Sequence, residues 1–410
     1  MAQNDTKNNV SSSINKRSAR SVAMGAAFVM AMSAVGPGFL TQTAAFTSQL
    51  GPNFGFAILV TILIDIVVQI NIWRIITVSG KHAQQIANDI FPGLGYFLTF
   101  LIVVGGFFFN IGNVAGAGLG LNVLFGISAE NGAIIAALLA IIVFVVRNAL
   151  VVMDRTVQVL AVVKIAVLIY ILSVTTVPVS AAVKHTFLPT DINFYSIVTI
   201  VGGTVGGYIS FAGGHRLLEG GIRGQKGLKY VNEGALSGIG IASVIRVMLF
   251  LAGLAVVMAG HKLDPANPAA AIFQIAAGNF GYKFFGLLLF AAGMTSVLGS
   301  TFTSVSFLNY SHSSEGAAKF QKYRPYLVIS FIALSTLVFY IIGKPAQILV
   351  IVGAINGLIL PIALAILLVG AHKHKIMGDT YKHPILLSIF GWLVVLFMAF
   401  AGIETLINTL

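Results

Sequence analysis

The chain has 410 residues, 57% of them hydrophobic and only 9% charged, with a mean hydropathy of +0.95. That much apolar surface excludes a soluble globular domain and places the chain among multi-pass membrane proteins. The net charge of +12 invites nucleic acid, but no solvated basic face with aromatic platforms is present; the lack of cysteine excludes disulfides, thiolate metal sites and cysteine nucleophiles.

Residues 1–20 are polar and carry Lys7, Lys16, Arg17 and Arg20, which predicts a disordered cytoplasmic tail rather than a cleaved signal. Apolar runs then follow at 24–50, 54–73, 96–126, 131–146, 156–178, 194–214, 234–260, 284–310, 325–343, 346–370 and 384–408. A spanning helix needs about 20 apolar residues, so these predict eleven spans. With the N-terminus inside, 18 of the 24 Lys and Arg fall on cytoplasmic ends and loops. The basic excess therefore sets topology in a plasma membrane, with the C-terminus outside.

The first run is interrupted at Gly36-Pro37-Gly38, because proline lacks a backbone donor and clashes one turn back. The predicted sixth span, "IVGGTVGGYISFAGGH" (Ile200 to His215), holds six glycines, a density that predicts unwinding. Unwound backbone at membrane depth must be buried in protein or line a wet cavity. Two interruptions at corresponding places, in spans one and six, point to a transporter's central site. The alternative is that the glycines only permit close helix packing.

These segments resemble the Nramp family of proton-coupled divalent-metal transporters, within the wider LeuT-like group. "MGAAFVMAMSAVGPGF" (Met24 to Phe39) is similar to the family's LGPAFIAAVAYVDPGN. "RIITVSGKHAQQI" (Arg74 to Ile86), "NVLFGI" (Asn122 to Ile127), "LLLFAAGMTSVLGSTFTS" and "LILPIALAILL" resemble its later motifs in the same order, over about Met24 to Gly378. The resemblance implies an all-α integral membrane protein of LeuT-like fold, with 11 transmembrane helices and broken helices 1 and 6. The expected organisation is a 5+5 inverted repeat (21–178 and 194–370) plus one extra helix at 384–408.

Carried over residue by residue, the family's metal-binding Asp falls on Gly36 and its Asn on Phe39. The span-six Met falls on Gly206, the His on Tyr208, the carbonyl position on Gly203, and the span-ten Gln on Gly353. The two acids of the family's third span fall on Asn110 and Asn113, which do not titrate. A divalent ion needs carboxylate or imidazole to replace its water, so metal transport is not expected. The expected site is instead a cavity formed by Gly36, Pro37, Gly38, Gly203, Thr204, Gly206, Gly207 and Gly353, walled by Phe39 and Tyr208. Carbonyls near Ala34 and Val35 and N–H groups beyond Phe39 should lack helical partners there, and Gly206→Trp should fill the space.

Two charges inside spans are candidates for coupling. Lys164, in "VQVLAVVKIAVLIYIL", either carries protons or snorkels and pairs structurally. Asp65 reads as a structural contact, with Arg246 a candidate partner. His215, Arg216 and Glu219 either form a salt-bridged inner gate or belong to a solvated loop. "AHKHKIMG" looks like a metal tract but sits where topology demands positive charge. No Walker loop, HExxH or GxSxG supports an enzyme, and no cofactor is called for. The expected function is secondary transport of a small polar or zwitterionic organic solute by a monomer in the lipid bilayer. The alternatives are a divalent cation (Mg²⁺ or Mn²⁺) at an altered site, and a non-transporting sensor or scaffold.

Overall fold

The computed structural model describes residues 16–146, 162, 165–309 and 314–409. It is helical almost throughout. In chain order the helices are α1 (Lys16–Ala34), α2 (Pro37–Leu50), α3 (Phe54–Ser79), α4 (Ala83–Ile90), α5 (Leu94–Phe125) and α6 (Ala129–Val145). Next come α7 (Ile165–Val174), α8 (Val179–Phe187), α9 (Phe194–Val205), α10 (Ile209–Glu219), α11 (Leu228–Met258) and α12 (Pro268–Ser306). The chain closes with α13 (Ser314–Ile342), α14 (Pro345–Ala371), α15 (His374–Met377) and α16 (Ile385–Thr409).

Among the described residues, eight helical runs are long and apolar enough to cross a membrane, or nine if α7 and α8, bent by 113°, form one span. That count treats Pro37–Ser79 as a single run of 43 residues. A straight helix of that length would be about 65 Å long, twice a bilayer core, whereas the chain turns at Gly51–Asn53 between α2 and α3. The protein is a multi-pass membrane protein.

Several predicted boundaries move. The tail predicted over 1–20 is helical from Lys16, since Lys, Arg and Ala are good helix formers. Residues left between spans form α4 and α8, two short helices whose lengths cannot cross a membrane. The eighth run begins well before residue 284: α12 opens at Pro268, capped by Asn267, and bends at Ala277 and Gly278, where Gly278 takes φ +61°. Lys164 lies outside the described residues.

Small residues set the packing. A Cβ at Gly106, Gly120 or Gly293 would overlap atoms across the α5–α12 seam, so the backbones there meet at close range. Gly202 of α9 likewise lies against the backbone of Gly353 and Gly357 on α14. These two seams hold α2, α9 and α10 at the centre, with α11 and α3 closing the other side.

Candidate functional site

The first interruption comes at Val35 and Gly36, between the end of α1 and Pro37 at the start of α2. Val35 N–H still bonds Ala31 O at 2.8 Å, and Leu40 N–H reaches Gly36 O at 3.3 Å. The Leu40 donor, expected to lack a partner, is therefore satisfied. The carbonyls of Ala34 and Val35 receive no backbone hydrogen bond. Two packing contacts hold the interruption: the Pro37 ring occupies the notch left by Gly116 of α5, and Gly36 lies against Ser296 of α12. Gly38 faces Leu349 of α14.

The second interruption runs from Gly206 to Tyr208, between α9 and α10. Gly207 takes φ +53°, a left-handed conformation that favours glycine. Gly206 N–H bonds Gly202 O at 3.1 Å and Ile209 N–H bonds Gly206 O at 3.2 Å. Among the described residues no backbone donor reaches the carbonyls of Gly203 and Thr204.

The residues predicted to surround one cavity divide into two groups. Tyr208 does not wall the space beside Phe39. It is 1% exposed, packs edge-on against Phe109 of α5 with centroids 5.4 Å apart, and lies near Asn113. There it joins a neutral polar chain: Asn113 Nδ2 donates to Ser300 Oγ at 3.3 Å, Ser300 Oγ to Asn110 Oδ1 at 2.9 Å, and Asn110 Nδ2 to Ser335 Oγ at 2.7 Å. Gly207 sits against Asn356 of α14 in the same region. Gly206 faces its own neighbour, because a Cβ there would strike the Gly202 backbone. A tryptophan at that position would disrupt the interruption rather than fill a cavity.

The other group centres on Arg246 of α11. Its Nη1 donates to Thr204 Oγ1 at 2.8 Å, and its guanidinium carbon lies 3.9 Å from the centroid of the Phe39 ring. Arg246, Thr204 and Asp65 are each 2% exposed, and Phe39 is 1% exposed. The Arg246 Nε and Nη2 have no hydrogen-bond partner, nor does Asp65 Oδ1. Asp65, for which the sequence offered Arg246 as a candidate partner, forms no ion pair with it.

Gln42, which the sequence reading did not select, completes this group. Its Nε2 donates to Leu349 O at 2.8 Å, and its amide lies between Gly203 and Gly353. Gln42 thus brings an amide from α2 to the position of Gly353 on α14. The run Thr41-Gln42-Thr43, three polar residues inside an apolar stretch, was its available signal. Toward one end of α2, a cleft of about 500 Å³ opens beside Thr41, Ala45, Phe46, Tyr195 and Gln347.

Of the two readings of His215, Arg216 and Glu219, a salt-bridged gate or a solvated loop, no salt bridge among the described residues supports the first. Arg216 and Glu219 are exposed, and the ion pairs among the described residues are Lys81–Asp89 and Lys229–Glu233. His215 is instead buried in an aromatic plug, 4.5 Å from the His82 ring and 5.0 Å from Phe307. A buried helix end has no water to screen ion pairs, and neutral rings fill it at lower desolvation cost. In the tract Ala371–Gly378, His372 Nε2 bonds Ser388 Oγ at 3.0 Å. His383, beyond the tract, bonds Asn71 and Tyr381 and is held at about 4 by burial, Arg74 and His372. Among the described residues no group of three or more His, Asp or Glu is placed to hold a metal.

The plug should respond to acid. Burial pushes the His82 imidazole below its usual range, against the opposing pull of Glu219. The unfolded chain therefore binds the proton first, so stability is full above pH ~6.5 and falls on acidification. The slope should not exceed about 1.4 kcal/mol per pH unit for one proton. His82→Asn, which keeps a side chain able to cap α4, should flatten the melting temperature between pH 7 and 5. An unchanged acid slope in that variant would exclude His82 as its source.

The description "Natural resistance-associated macrophage protein-like", the Nramp family model, matches residues 27–408. The chain belongs to the Nramp family. The Bacillus subtilis "Uncharacterized membrane protein YcsG" is 54% identical over 390 residues, covering 95% of both chains. The "Divalent metal cation transporter MntH" of Brucella suis is 29% identical over 136 residues, 30% of each chain. Among solved structures, the Eremococcus coleocola manganese transporter, bound to an aromatic bis-isothiourea substituted compound, aligns with a TM-score of 0.70 at 16% identity. That alignment covers 95% of this chain and 86% of that one. MhsT in complex with L-phenylalanine aligns with a TM-score of 0.59 at 17% identity over 94% and 97%. This Nramp protein therefore has a transporter fold shared with LeuT-like proteins.

Proposed function

We propose that this Nramp protein is a secondary transporter that moves a small organic solute, not a divalent metal, by alternating access. The fold reading behind this takes α1–α2 and α9–α10 as the broken first and sixth of eleven spans, with 21–178 and 194–370 as inverted repeats. On that reading the N-terminus is cytoplasmic, the C-terminus extracellular, and the working unit a monomer in the plasma membrane.

One observation carries the proposal: the Arg246 guanidinium rests on Thr204 and Phe39, beside positions where the family resemblance places metal ligands. A divalent ion about 5 Å from that charge would meet a repulsion on the order of 6 kcal/mol at an effective dielectric of about 20. Asp65 supplies one opposing charge, and the substituted positions Gly36, Phe39, Gly206 and Tyr208 supply none. The unpartnered carbonyls of Gly203 and Thr204 and the amide of Gln42 suit a polar organic guest. The fold is compatible with one, since MhsT holds L-phenylalanine.

The second reading, Mg²⁺ or Mn²⁺ carried at an altered site, draws on Asp65 and on the likeness to manganese and divalent-cation transporters. Proteoliposomes distinguish the two. Mn²⁺ uptake should not exceed protein-free controls, and calorimetry should give no saturable Mn²⁺ binding. Saturable micromolar Mn²⁺ binding abolished by Asp65→Asn would establish the second reading. Ligand binding without flux of either kind would instead support a sensor.

A further inference from the structure

We infer that the solute is a small organic anion whose carboxylate binds the Nε–Nη2 edge of Arg246, with an N–H or O–H group directed to Gln42 Oε1. This rests on the organic-solute reading above and names the chemical class of its substrate.

The guanidinium is fixed on two sides. One face lies on Phe39 at 3.9 Å, and the Nη1 corner donates to Thr204 at 2.8 Å. The opposite edge, Nε and Nη2, is buried and unpartnered. Two parallel N–H donors on one edge of a planar cation match the two oxygens of a carboxylate. Donors on a buried charge are expensive to leave without an acceptor, so this edge is built for one. Asp65 is the internal carboxylate near enough to act on Arg246, yet it forms no ion pair with it. It balances the charge while leaving the edge free.

The second contact comes from α2. Phe39 and Gln42 are three residues apart, so they share one face of that helix. Gln42 Nε2 is committed to Leu349 O, which leaves Oε1, with no donor of its own, against Gly203. Gly203 is adjacent in sequence to Thr204, the residue that anchors Arg246. A cationic donor edge from α11 and a neutral acceptor from α2 thus both lie against α9, at Thr204 and Gly203. Thr41, the residue before Gln42, lines the cleft that opens beside α2.

The test is thermal shift and calorimetry on the purified full-length protein with lactate, mandelate, N-acetylglycine and L-phenylalanine, each against its primary amide, at matched sodium chloride. At least one carboxylate should raise the melting temperature saturably while its amide does not. Arg246→Lys keeps the charge beside Asp65 but loses the fork, and should weaken that carboxylate at least about tenfold. Asp65→Asn removes a competing anion and should tighten it several-fold. Amides that bind as well as the acids would overturn the carboxylate assignment while leaving the organic reading intact. Equal protection by chloride, or no shift from any carboxylate, would also overturn it. Saturable Mn²⁺ binding in place of every organic probe would overturn the organic reading itself. If Arg246→Lys melts early without ligand, Thr204→Val, which frees the Nη1 corner and removes the hydroxyl's own bond to Ile200 O while leaving Arg246 in place, supplies the affinity comparison and should weaken the carboxylate too.

Discussion

Arg246→Ala is expected to destabilise the protein by about 3–5 kcal/mol, the range for removing one member of a buried charge pair. The loss has three sources: the Asp65 carboxylate is left buried without its opposing charge, the Phe39 ring loses its cation, and Thr204 Oγ1 loses its donor. The double variant Asp65→Asn/Arg246→Gln should recover most of that loss, because it leaves no uncompensated charge in the interior. It should not recover transport, since the proposed anchor is gone. Thermal unfolding of the four proteins in one detergent measures the coupling. Strictly additive effects would mean that the two charges do not balance one another.

The second large effect is on flux. Ala45→Trp should reduce solute uptake at least about tenfold while leaving the melting temperature nearly unchanged, as for substitutions outside packed regions. Ala45 is part-exposed and lines the cleft of about 500 Å³ beside α2, so an indole there occupies open space. Gly206→Trp, which the sequence alone recommended as a plug, should behave in the opposite way. Its side chain would be driven into the Gly202 backbone, and folding rather than transport would fail first. Uptake at the wild-type rate in Ala45→Trp would show that solute does not pass through this cleft.

Much of this protein was legible without a structure because the signals are local. Hydropathy over about 20 residues reports membrane spans whatever they pack against. Gly36-Pro37-Gly38 and the glycines of Ile200 to His215 interrupt helices through their own backbone chemistry, and both interruptions fall where those residues stand. The resemblance of five ordered motifs led to the family that the whole-chain match then established. That Asn110 and Asn113 do not titrate was equally readable, since residue type alone decides whether a group ionises.

Which groups meet was not legible, because that depends on the pairing of distant helices. Arg246 reaches Thr204 across 42 positions and Gln42 reaches Leu349 across 307. No periodicity or spacing encodes either contact. Tyr208 was expected beside Phe39, yet the turn at Gly207 directs it to Phe109 and Asn113 on α5. His215, Arg216 and Glu219 are near neighbours in sequence but are not joined by salt bridges, because Arg216 points to another side of the helix from His215 and Glu219 lies at its exposed last position. The sequence by itself determined a membrane-spanning, helix-interrupted Nramp protein. Only the tertiary structure decided that a cation stands at the centre, because a buried charge takes its meaning from the groups that other helices bring to it.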